Sequence, residues 1–215
     1  SEWERGMKKT IFVAEVAVFS ALVFVATIVI AIPSVSTSGY VNFGDTVIFI
    51  ASAFLGPLGG FVAGGVGSML ADLMYSPVWM PVTFIVKGLE GLVAGVLFKA
   101  LSALIKNKKI ALPVALSTAF LVGAAEMIVG YYLGGAIILG ASSGDWAVAF
   151  TSSAVDIPGN CLQGGVSVLV GGAISLLLCK IPYTKNVMDK NLSVFKKTKL
   201  ENENACDFDA DVLEN

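Results

Sequence analysis

Apolar residues in this chain come in long stretches, and polar ones collect in the short breaks between them. Six apolar stretches run near residues 10–32, 46–56, 58–74, 83–104, 111–140 and 155–180. A helix needs about 20 apolar residues to cross a hydrocarbon core of roughly 30 Å, so the longer stretches are predicted to be transmembrane helices. Lys and Arg set their direction, because basic residues concentrate on cytoplasmic flanks. Of the 14 basic residues, all but Lys87 lie before the first stretch, at the end of the fourth or after the sixth. Both termini are therefore expected to be cytoplasmic. The segment from Thr46 to Met74 reads as one over-long helix or as two short ones. A single crossing would put Lys106, Lys108 and Lys109 outside. Two crossings keep them inside, and Gly56-Pro57-Leu58-Gly59-Gly60 supplies the break. The expected fold is thus an all-α integral membrane protein of six transmembrane helices. The second and third are short, which leaves tilt, re-entrance or local bilayer thinning open.

Composition agrees. Hydrophobic residues make up 56% of the 215 and charged residues 14%, whereas a soluble domain carries about a quarter charged. The mean hydropathy is +0.82. The net charge of -2 says little about partners, because the charges are segregated along the chain. There is no His, which excludes histidine metal sites and histidine general bases. Cys161, Cys179 and Cys206 have neither metal-like nor disulfide-like spacing and read as ordinary thiols. No G-x-x-x-x-G-K-[ST] is present, so the chain is not expected to hydrolyse ATP itself. Neither G-x-S-x-G nor H-E-x-x-H occurs, and no enzyme activity, cofactor, metal or nucleic-acid partner is expected. The first stretch is too long for a cleaved signal. Met7 is expected to be the natural start, with residues 1–6 an added remnant. Residues 1–182 then form one membrane domain. Residues 183–215 form a polar tail ending in Glu201, Glu203, Asp207, Asp209, Asp211 and Glu214, read as a disordered cytoplasmic segment or, less simply, a docking segment.

Intramembrane charge costs about 2.5–3.5 kcal/mol per residue at a helix centre, so each such residue needs a partner or a purpose. In the predicted topology, Thr83, Lys87 and Glu90 fall on one face of the outer half of the fourth helix, spaced by four and then three. Asp156, Asn160 and Gln163 repeat that spacing in the outer half of the sixth. Glu126 lies near mid-depth on the fifth, with Tyr131 and Tyr132 further out. Asn42 and Asp45 sit at the outer mouth of the second helix, Asp72 at the outer end of the third, and Trp79 in the loop leading into the fourth. The inner halves are nearly pure hydrocarbon. A channel or proton relay would need polar groups through the full depth, so this asymmetry points to a pocket open outside and closed below. Its candidate ligand contacts are Asn42, Trp79, Lys87, Glu90, Glu126, Tyr131, Asn160 and Gln163, combining stacking rings with hydrogen-bonding groups. Plainer readings stand beside these. Lys87 and Glu90 could neutralise each other within one helix. Glu126 could be a protonated buried carboxyl, and Asn160 and Gln163 could join helices. Asp72 and Asp156 read as solvated or capping residues at helix ends. Ala14, Ala17 and Ala21 line one side of the first helix and suggest a partner surface. The pairs Gly60/Gly64, Gly91/Gly95 and Gly130/Gly134 suggest close packing within the chain.

Together these features resemble the substrate-binding S components of energy-coupling factor (ECF) vitamin transporters. The resemblance rests on the six helices, Tyr40-Val-Asn-Phe-Gly-Asp45, Leu55-Gly-Pro-Leu-Gly-Gly60, the Gly64…Asp72 stretch, Lys87-Gly-Leu-Glu-Gly91 and Ala17-x-x-x-Ala21, and it covers roughly residues 8–182. It implies a multi-pass protein of a prokaryotic plasma membrane that captures a vitamin or precursor from outside. It further implies docking, through Ala14, Ala17 and Ala21, on a transmembrane coupling (T) subunit that carries two cytoplasmic ATPases. Within that family the polar set looks most like the hydroxymethylpyrimidine or pyridoxine group, with riboflavin S components as relatives. A stand-alone secondary transporter or channel is the alternative, and a membrane-embedded enzyme a more distant one.

Overall fold

The computed structural model describes residues 2–33, 40–105, 108–182 and 188. Helix α1 (Glu2–Val29) leads into a two-stranded antiparallel ribbon, β1 (Ala31–Pro33) and β2 (Tyr40–Asn42), with Ile32 opposite Val41. Then follow α2 (Gly44–Tyr75), a 3-10 turn (Pro77–Trp79), α3 (Met80–Leu104), α4 (Lys108–Ser143), the short α5 (Trp146–Ala154) and α6 (Ile157–Leu178). Among the described residues, five helices are long and apolar enough to cross a membrane: α1, α2, α3, α4 and α6.

Five candidate spans are found where six were expected: the expected second and third helices both fall within α2, which is folded back on itself. A straight helix of 32 residues would be about 48 Å long, well beyond a bilayer core. Gly56 breaks it with φ 80° and ψ -173°, a left-handed conformation open to glycine, and Pro57 follows without an N–H to continue the ladder. The two arms then pack together. The position a Cβ would occupy at Gly64 lies 3.2 Å from Ile48 Cγ2, and that at Gly60 lies 2.8 Å from Ser52 Cβ. In a straight helix residues 48 and 64 would be about 24 Å apart. The second arm runs antiparallel to α3 at backbone contact: a Cβ on Gly60 would meet the Gly91 carbonyl oxygen at 2.7 Å, and one on Gly95 the Pro57 Cα at 2.7 Å. The glycine pairs read from the sequence thus serve packing within the chain, where small residues let backbones approach.

Two elements were not expected. The apolar stretch 10–32 does not stay helical throughout: α1 ends at Val29, and residues 31–33 pair as a strand with Tyr40–Asn42. Helix α5 lies between α4 and α6, with the Asp145 side chain capping its start by accepting from the Val148 N–H at 3.1 Å. Pro81 and Pro158 sit in the first turns of α3 and α6, where a missing N–H costs nothing.

The apolar core gathers Phe49, Phe54, Phe98, Leu116 and Phe120 from α2, α3 and α4, with the rings of Phe49 and Phe120 stacked at 4.7 Å. Met188 closes on this cluster, its sulfur receiving the Cys179 thiol at 3.6 Å. The core lies toward the end where Gly56 approaches Lys99 Nζ. The ribbon, the Pro77–Trp79 turn, α5 and the start of α6 lie at the other end. Helix α1 packs against α2 through one face, Val16, Val23 and Thr27, and leaves most of its remaining surface exposed. The predicted tail of residues 183–215, Met188 apart, lies outside the described residues, as do Ser1 and Lys106.

Candidate ligand-binding site

Two polar layers occupy the end of the bundle that carries the ribbon. The deeper one is a sealed ionic cluster. Asp45 sits in the first turn of α2, where the helix dipole favours a carboxylate, and Glu90 and Lys87 lie one turn apart on α3. Lys87 Nζ donates to Asp45 Oδ1 and, at 3.0 Å, to Glu90 Oε2. Gln163 of α6 ties in from the other side: its Nε2 donates to Asp45 Oδ2 at 2.8 Å, and its Oε1 accepts the Asn42 backbone N–H at 2.7 Å. Asp45, Lys87 and Glu90 are wholly buried. The cluster therefore pins α2, α3, α6 and strand β2 together at one point.

Above it lies a cavity of about 310 Å³, at the small end of ligand-pocket sizes. Its floor and walls include Tyr40, Asn42, Ser68, Asp72, Trp79, Thr83, Tyr131, Asp156 and Asn160, closed by apolar groups such as Ile32, Pro33, Val41 and Leu162. The aromatic side is built by Trp79 and Tyr131, whose rings meet edge to face at 5.7 Å. The Tyr131 hydroxyl donates to Thr83 Oγ1 at 3.3 Å, and its ring lies 5.2 Å from Lys87 Nζ, so this tyrosine separates cavity from cluster. The Tyr40 hydroxyl donates to Asp72 Oδ1 at 2.6 Å. Burial, together with the Asp72 carboxylate beside it, pushes the Tyr40 hydroxyl above its usual range, so it remains a donor. Asn42 Oδ1 accepts the Gly44 N–H at 2.9 Å, which fixes the chain where the ribbon enters α2.

The eight candidate contacts divide between these layers. Asn42, Trp79, Tyr131 and Asn160 line the cavity. Lys87, Glu90 and Gln163 belong to the cluster beneath it and do not line the cavity; Lys87 and Glu90 pair with each other, with Asp45 as the additional partner. Glu126 is half-buried on α4, outside the cavity lining, with Oε2 buried and without a hydrogen-bond partner among the described residues. Thr27, Tyr40, Ser68, Asp72, Thr83 and Asp156 are polar wall residues outside the candidate set. Asp72 had been read as a solvated helix end, yet it is 3% exposed. The spacing of Ser68 and Asp72, four apart on one helix face, was the available signal. Ala14, Ala17 and Ala21 are exposed on α1, and Ala17 and Ala21 flank a shallow apolar groove against α2.

The geometry is that of a membrane helical bundle with a ligand-sized polar and aromatic cavity at one end. Residues 7–180 match the family described as ECF-type riboflavin transporter, S component, and the chain belongs to that family. A stretch of 73 residues is 45% identical to an uncharacterized protein of Pyrococcus woesei, covering 34% of this chain and 49% of that one. The chain thus spans about half the length of the curated relative it matches. Three solved structures share the fold. ThiT from Listeria monocytogenes aligns with a TM-score of 0.60 and 21% identity over 82% of this chain and 98% of its own. The S component of a bacterial ECF transporter gives 0.58 and 20% over 80% and 97%. The S component for biotin from an ECF-type ABC transporter gives 0.54 and 19% over 78% and 92%. At these identities the likeness is one of fold.

Proposed function

We propose that this chain is the substrate-capture subunit of an ATP-driven importer for a heteroaromatic vitamin or vitamin precursor. The observation that carries the reading is the cavity: aromatic rings and hydrogen-bonding groups share its lining above a closed ionic cluster, in a chain of the S-component family. Lys9, near the start of α1, Lys99, near the end of α3, and Lys180, just past α6, lie toward the opposite end, so the charge rule favours a cavity facing outward. Riboflavin is the first ligand to test, because the family is described by it. Hydroxymethylpyrimidine or pyridoxine is the second reading, favoured by the small volume of the cavity. Without an ATP-binding motif, the chain would depend on a transmembrane coupling subunit with two ATPases. The exposed Ala14, Ala17 and Ala21 face of α1 is the surface proposed for that contact.

The test is a tryptophan-fluorescence titration of the purified full chain with riboflavin, hydroxymethylpyrimidine, pyridoxine, thiamine, folate and pantothenate. Saturable quenching by one compound, lost in Trp79→Phe, is expected. A flat response to all six would remove these vitamins as cargo.

A further inference from the structure

The charge of the cavity wall is lopsided. Asp72 and Asp156 line it, and no Lys or Arg does so among the described residues. Residues 34–39, which connect the two strands in the chain, contain no basic residue either. Lys87, the nearest buried cation, is sealed beneath Tyr131 with both its ion pairs committed to Asp45 and Glu90.

Asp72 itself is unusually placed. One oxygen takes the Tyr40 hydroxyl at 2.6 Å, in the range of a charge-assisted bond to an ionised carboxylate. The other, Oδ2, is buried, and the Thr83 hydroxyl lies beside the carboxylate as a second donor. One helical turn away, Ser68 Oγ also lines the cavity, buried and without a hydrogen-bond partner among the described residues. Buried polar atoms are nearly always satisfied, so Ser68 Oγ marks where a bound molecule contributes a polar group of its own, next to the Asp72 carboxylate. What Asp72 Oδ2 can take is a donor: an amine, a ring N–H or a hydroxyl. A phosphate or carboxylate in the same place would meet the buried Asp72 carboxylate with no Lys or Arg among the described lining residues, and like charges brought together at a desolvated group repel strongly.

From this arrangement, resting on the capture reading above, we infer that the cavity accepts only neutral or cationic ligands, and that Asp72 is the specificity residue that rejects their phosphorylated forms. Discrimination would come from a repulsive element already built into the wall as much as from the bond it offers.

The experiment uses the full chain in detergent and matched pairs: riboflavin, pyridoxine, hydroxymethylpyrimidine and thiamine, each against its phosphate ester. The readout is the ratio of dissociation constants, ester over free form, for whichever compound binds. Wild-type protein is expected to prefer the free form by about 100-fold, a gap that repulsion of a few kcal/mol produces. Asp72→Asn keeps the shape and removes the charge, and should shrink that ratio by about tenfold or more. Binding of ester and free form within about threefold in wild type would overturn the inference while leaving capture standing; this arm needs no variant to fold. An unchanged ratio in an Asp72→Asn protein that still binds the free form would also overturn it. Binding of neither form of any pair would defeat the capture reading for these ligands, and this inference with it.

Discussion

Replacing Lys87 by Met removes the one cation from a cluster that contains Asp45 and Glu90, all three wholly buried. Met matches the length of the stem, so packing is nearly kept and the loss is electrostatic. Asp45 retains the Gln163 amide and the favourable end of α2. Glu90 retains nothing comparable, since Oε2 loses Lys87 and Oε1 has no hydrogen-bond partner among the described residues. Breaking a buried ion pair by removing one member costs about 3–5 kcal/mol. For a chain of this length that corresponds to a fall in melting temperature of roughly 6–20 °C. The assay is thermal denaturation of the detergent-purified protein, read by the monomer peak surviving on size exclusion, for Lys87→Met and for Lys87→Met combined with Asp45→Asn and Glu90→Gln. The triple variant should recover part of the loss, because it leaves no carboxylate unpaired. Glu90→Gln alone should change little, as Lys87 and Asp45 remain paired. A Lys87→Met protein as stable as wild type but unable to bind ligand would refute this reasoning and return Lys87 to the cavity wall.

Two other substitutions probe the fold and the link between its layers. Gly91→Ala forces a Cβ into the Gly60 backbone, where neither helix can give way, and should destabilise the protein by about 1–3 kcal/mol in the same thermal assay. Gln163→Leu leaves the Asn42 N–H and Asp45 Oδ2 without their partner, at about 1–3 kcal/mol for each unsatisfied group. Because Asn42 is also part of the cavity wall, that variant should lose ligand affinity together with stability, and retention of either would separate the cluster from the cavity.

Much of the architecture was readable because its causes are local. Apolar length predicts a helix long enough to span, and Gly56-Pro57 predicts the break in α2 wherever the arms end up. The ribbon was missed because strands of three residues carry too little alternation to stand out beside an apolar run. Helix α5 was missed because residues 141–156 mix small, polar and apolar residues without a long period. At the site, spacing correctly put Lys87 and Glu90 on one face of α3. Their role turned on Asp45, 42 residues before Lys87, and no periodicity reports a contact of that range. Asp72 shows the converse failure. A carboxylate near a helix end reads as solvated, and its burial comes from Tyr40 folding across from the ribbon.

The central claim is that this chain captures a ligand and cannot carry it across the membrane alone. Proteoliposomes containing the chain, with and without a coupling subunit and its two ATPases, test it with a radiolabelled vitamin identified by titration. The account predicts binding in both preparations, and accumulation inside only when the full complex and ATP are present. Equilibration of label across liposomes holding this chain alone would contradict it and identify a self-sufficient transporter.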